Sequence, residues 1–211
     1  AGSFESISQP DMLPLLIKGL ISLFFILCAG YLMNDLCDIT YDLKNRPEKV
    51  FIGKIITQSA AKYVSFGFFV LGLTIGIFVN IWYIGIIVFI SGGLAIYNFF
   101  SKKLGMLKDI VISLIVISIY PIALALTLGG NQSLRRTSLF IFPIWLFLTV
   151  MAYEIVRDIV DAPGDSLGGP SLFSSKIGPQ KTKKIAISLA LGGLPFAFLP
   201  FVFKMCGALY L

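Results

Sequence analysis

The stretch LPLLIKGLISLFFILCAGYLMNDLCDITYD, residues 13–42, decides the fold class. From Leu13 to Met33 a single charge, Lys18, interrupts an apolar run. A run of about 20 such residues crosses the hydrocarbon core of a bilayer as a helix. The run then changes character at Asn34, Asp35, Asp38 and Asp42. The three aspartates recur at i, i+3 and i+7, which puts them on one side of a helix. Carboxylates at the edge of a bilayer are costly and are usually kept for ions or substrates.

Working outward, the same alternation of apolar run and polar break fills the chain. It has 211 residues, 57% hydrophobic and only 13% charged, with a mean hydropathy of +0.90. A soluble domain would carry about twice that charge. The expected fold is all-α: a polytopic transmembrane helical bundle, one domain over 1–211. The expected helices are 13–38, 59–79, 82–100, 109–128, 138–160 and 181–203. The last residues could begin a seventh. Pro195 and Pro200 should kink or break the sixth, and Gly129 to Thr137 has the turn chemistry of a loop.

A second acidic cluster, Glu154, Asp158, Asp161 and Asp165, ends the fifth expected helix. Its spacing of i, i+4, i+7 and i+11 again gives one helical face. Thirteen of the seventeen Lys and Arg fall in the segments 44–62, 102–108 and 157–184. Six helices put all three segments on one side, which the positive-inside rule makes cytoplasmic. Both acidic clusters land on that side. The net charge of +6 therefore reads as loop orientation rather than nucleic-acid binding.

The chain has no His, which excludes His metal sites, Ser-His triads and His proton relays. Cys28, Cys37 and Cys206 lack metal-ligand or redox spacing. What remains is oxygen chemistry. Two carboxylate faces brought together suit Mg²⁺, which takes a few carboxylates along with substrate phosphates and water. Lys44, Arg46, Lys49, Lys102, Lys103, Arg157 and Lys176 lie close to the two clusters in sequence and could meet the outer oxygens of a diphosphate. Tyr97 and Asn98, just before Lys102, are further candidates for substrate contact. The apolar helices would house a hydrophobic tail.

These motifs resemble those of the UbiA superfamily of intramembrane prenyltransferases. Asn34-Asp35-Leu36-Cys37-Asp38-Ile39-Thr40-Tyr41-Asp42 matches its N-D-x-x-D-x-x-x-D motif. Asp158-Ile159-Val160-Asp161-Ala162-Pro163-Gly164-Asp165 matches its D-x-x-D-x-x-G-D motif. Asn45-Arg46-Pro47 and the stretch from Tyr97 to Lys102-Lys103 are similar to the family's basic segments. The resemblance implies two Mg²⁺ ions that bind the diphosphate of a polyprenyl donor, and a lipophilic acceptor that captures the prenyl group. It makes Asn34, Asp35, Asp38 and Asp42 one metal-binding face. Asp158, Asp161 and Asp165, with Glu154 added, form the other. Asp35, Asp38, Asp161 and Asp165 would be the catalytic carboxylates, and Arg46, Lys102 and Lys103 would contact the diphosphate.

The resemblance also implies a bundle of nine helices, of which this chain looks like helices two through seven. The first and last helices are expected to be missing here. Pro163 inside the second motif should leave its last turn as loop. The stretch after Asp42 leans toward members that use geranylgeranylglycerol phosphate in ether-lipid synthesis. Aromatic-acceptor enzymes of quinone synthesis and UbiA-type terpene cyclases are the alternatives. A cation transporter is the reading from outside enzymology, but it should carry acidic residues near mid-membrane in broken helices. Here they sit at helix ends.

Overall fold

The structure, a computed structural model, describes residues 9–45, 47–127, 133–165 and 177–203. The described residues are almost wholly helical. α1 is Gln9–Asn45, followed by a 3-10 turn at Pro47–Lys49. α2 is Gln58–Ile77, α3 Ile81–Leu104, α4 Met106–Ile117 and α5 Ile119–Thr127. α6 is Ser133–Asp165 and α7 is Pro179–Val202. Among the described residues five stretches are long and apolar enough to cross a membrane: Leu13–Leu43, Gln58–Ile77, Ile81–Ser101, Met106–Leu126 and Pro179–Val202. The large side chains left exposed, such as Phe66, Ile81, Trp82 and Phe198, are what lipid-facing helices present. The protein is an integral membrane bundle.

Four expectations about helix ends change. α1 runs on to Asn45 rather than ending at Asp38, so one helix carries the whole first acidic motif, as its spacing requires. The helix expected over 109–128 is two: α4 stops at Ile117, and Ser118 separates it from α5. Pro121 explains the break. It has no N–H to offer Ile117, and its ring collides with that carbonyl. α6 continues through Pro163 to Asp165, which corrects the expected loop. A proline in the final turn forfeits one hydrogen bond, to Ile159, and the turn after it survives. α7 likewise passes through Pro195 and Pro200 without a break.

The chain divides into two compact units. In the first, α1 packs along α2 by close backbone approach. A Cβ added to Gly72 would lie 2.8 Å from Ile26 and 3.0 Å from the Ser22 carbonyl oxygen. Ser22 Oγ donates to Gly72 O at 2.7 Å, and Ser65 Oγ donates to Ala29 O at 2.9 Å. Small residues and such hydrogen bonds are the usual means of helix association where lipid supplies no hydrophobic drive. α3 joins the same way. Buried Tyr83 donates to Gly19 O at 2.5 Å, and Asn98 Nδ2 donates to Gly30 O at 3.0 Å. Asn80 caps α3 by accepting from Tyr83 N at 2.8 Å, and its Nδ2 donates to Ala125 O at 2.9 Å.

The second unit is built differently. α6 packs on both α4 and α7. Its core is apolar: Met151, Ile155 and Ala186 are buried, with Met106, Ile110, Phe147, Ile185 and Leu189 packed around them. α7 starts at Gly178, whose φ of 84° suits glycine. Pro179 follows at the first helical position, where a missing N–H costs nothing.

Candidate active site

The first acidic face lies on one continuous helix. Asn34, Asp35, Asp38 and Asp42 are all in α1 and all half-buried. Counting about 20 residues from Leu13 for the membrane core ends the span just before Asn34. One turn before Asn34, the Gly30 carbonyl receives the Asn98 amide at 3.0 Å. Asn98 is buried and committed to tying α3 to α1, so its amide nitrogen already has a structural task. Tyr97, its neighbour, is half-buried on α3, and Lys103 on the same helix is exposed.

The second face lies on α6, and its described members are far more enclosed. Glu154 is 5% exposed and Asp158 2% exposed. Each already has a cation. Arg157 Nη1 approaches Glu154 Oε2 at 3.2 Å. Lys108, from α4, forms an ion pair with Asp158. The backbones of Asp161 and Asp165 continue the same helix, but their side chains lie outside the described residues. So do the side chains of Lys44, Lys49 and Lys102. Arg46 and Lys176 fall outside the described residues altogether.

Two residues at this site escape a reading of the sequence. Lys108 passes as one more positive-inside lysine. Asp109 looks like a favourable charge in the first turn of a helix, ahead of a long apolar run. In the structure Asp109 is fully buried, and neither carboxylate oxygen has a hydrogen-bond partner. The available signal is Lys-Asp itself, an adjacent charge pair at the head of a helix otherwise made of Met, Ile, Val, Leu and Ser.

Among the described residues no three Cys, Asp or Glu side chains gather into a ready-made metal cage. A divalent cation does not require one. Mg²⁺ binds through one or two carboxylates and completes its shell with water and substrate phosphate. The donors here are hard oxygens, and Asp109 adds buried carboxylate oxygens that no proton donor satisfies. The residues present fit such an ion.

Comparison with known proteins agrees with this chemistry. The model of the UbiA prenyltransferase family matches residues 3–211. The chain belongs to the UbiA prenyltransferase family. Membership places it among enzymes that transfer prenyl groups, a class generally dependent on metal ions. Its relatives include the digeranylgeranylglyceryl phosphate synthase of Methanosarcina mazei, 30% identical over 204 residues, which cover 95% of this chain and 69% of that protein. The synthase of the same name from Saccharolobus solfataricus is 29% identical, over 90% of this chain and 64% of its own. That of Sulfolobus acidocaldarius is 31% identical, over 87% and 63%. The chain thus spans about two thirds of the length of these UbiA relatives. No solved structure matches it at a significant level.

Proposed function

We propose that this UbiA-family protein is an Mg²⁺-dependent intramembrane prenyltransferase. It moves a geranylgeranyl group from its diphosphate to geranylgeranylglycerol phosphate, a step of ether-lipid synthesis, with its active site facing the cytoplasm. One observation carries the choice of acceptor. The relatives that cover 87–95% of the chain bear the name digeranylgeranylglyceryl phosphate synthase. The carboxylate-bearing ends of α1 and α6 and the basic segments near them support the diphosphate as the group bound.

In this reading Asn34, Asp35, Asp38 and Asp42 hold one metal ion, and Glu154, Asp158, Asp161 and Asp165 hold a second. When bound, the metal ions neutralise the diphosphate and make it a better leaving group. The residues of the chain do the remaining work. Arg46, Lys102 and Lys103 meet the outer phosphate oxygens and stabilise the charge that builds there as the allylic C–O bond breaks. Lys44, Arg157 and Lys176 would add to the same field, and Tyr97 would face the substrate. Apolar helices keep water from the allylic cation. The acceptor hydroxyl oxygen then forms the new C–O bond. Its proton leaves to the released diphosphate or to solvent.

The test uses full-length protein in lipid with radiolabelled geranylgeranyl diphosphate and Mg²⁺. Geranylgeranylglycerol phosphate and an aromatic acid are offered separately. Mg²⁺-dependent transfer to the glycerol phosphate is expected. Transfer only to the aromatic acid would overturn the acceptor. A cyclised product without an acceptor would replace transfer with cyclisation.

A further inference from the structure

The amino end of α4 carries a pair of charges that neither acidic motif contains. Lys108 reaches across to α6 and ion-pairs with Asp158. Asp109, the next residue, is 0% exposed. Both of its carboxylate oxygens are buried without a hydrogen-bond partner. Buried polar atoms are almost always satisfied, so one that is not calls for a reason. The charged groups facing Asp109 are Asp158 and Glu154, of like sign, and Lys108 and Arg157, of opposite sign. Glu154 pairs with Arg157, and Asp158 with Lys108. Among these described side chains three carboxylates share two cations, and Asp109 is the one left over.

A packing role does not account for this. Ser113 donates to the backbone carbonyl of Asp109 at 2.6 Å, not to its side chain. The start of α4 lends partial positive charge, but no N–H reaches the carboxylate oxygens. A carboxylate held dry beside two others is poorly placed to hold a fold together. It is well placed to receive a cation.

We propose that Asp109 is an additional ligand of the cation bound at the second acidic face. The face would then draw on two helices, α4 as well as α6. The inference rests on the reading of that face as a divalent-metal site. It adds a ligand that the D-x-x-D-x-x-G-D spacing cannot reveal, because Asp109 lies far outside that motif and reaches the face only through the packing of α4 on α6.

The test measures metal binding directly. Full-length protein is purified in detergent, and Mn²⁺ binding is followed by electron paramagnetic resonance, with and without geranylgeranyl diphosphate. Thermal melts are run in parallel with and without Mg²⁺. Asp109→Asn is expected to weaken Mn²⁺ binding about 10-fold or more, in the range that loss of one supporting group costs a metal site. It should also abolish the rise in Tm that Mg²⁺ gives the wild type. Its metal-free Tm should equal or exceed the wild-type value, since the substitution removes an unpartnered buried charge. Asp109→Leu should behave alike. Wild-type Mn²⁺ affinity in both variants would overturn the assignment. So would a failure of both to fold, because Asp109 would then be structural. Absence of Mn²⁺ binding in the wild type, with or without the donor, would instead overturn the metal–diphosphate reading itself.

Discussion

The acidic ends of α1 and α6 carry nearly the same spacing of carboxylates in two different environments. On α1 the aspartates are half-buried along one helix. On α6 Glu154 and Asp158 are buried, and each already pairs with a cation, Arg157 or Lys108. Periodicity sets which carboxylates share a face. Packing sets what each face needs. The α1 face lies on a single helix and is more open than its counterpart. On the α6 face Glu154 and Asp158 already pair with cations, so whatever binds there must take its place beside Lys108 and Arg157.

Stability should report this difference most strongly at Lys108. Breaking a buried ion pair by removing one partner costs about 3–5 kcal/mol. Lys108→Met leaves Asp158 without that cation, so a large drop in Tm is expected in detergent, partly reversed by Mg²⁺. An unchanged Tm would mean that the Lys108–Asp158 pair does not hold α4 on α6. Next in size is Gly72→Ala, which probes how the first unit is held. The added Cβ would press on Ile26 and on the Ser22 backbone. Overpacking of this kind costs about 1–3 kcal/mol, again read as Tm. A neutral effect would show that α1 and α2 do not depend on that close approach. The smallest stability effect belongs to the α1 face. Asp35→Asn, at a half-buried position, should lower Tm least of the three while prenyl transfer is lost. A large loss of stability there would erase the contrast between the two faces.

Much of this was legible in the residues. The bilayer-length run ending at Asn34 announced both a membrane helix and the place where its carboxylates begin. The i, i+4, i+7 spacing from Glu154 put the second cluster on one helix, as found. The break at Ser118 is hard to read from the sequence because the apolar run from Ile110 to Leu126 is nearly unbroken. Only the rule for Pro121 and the carbonyl four residues earlier reveals it. Pro163 misled in the opposite direction, since a proline in a final turn need not end a helix. Asp109 was hidden for a deeper reason. Its significance depends on which helix packs on α4, and a pattern local to one helix does not carry that information.

The most direct test asks whether the α1 and α6 faces serve one reaction. Mg²⁺-dependent release of diphosphate from geranylgeranyl diphosphate is measured for Asp35→Asn, for Asp161→Asn and for the two together. Each single substitution should lower the rate on the order of 10²–10³-fold, the scale for losing one preorganised charge-stabilising group. If both faces hold one diphosphate, residues acting as a unit are not additive, and the double variant should be little worse than either single one. Near-wild-type release by either single variant, or a double effect equal to the product of the two, would contradict a shared metal–diphosphate site.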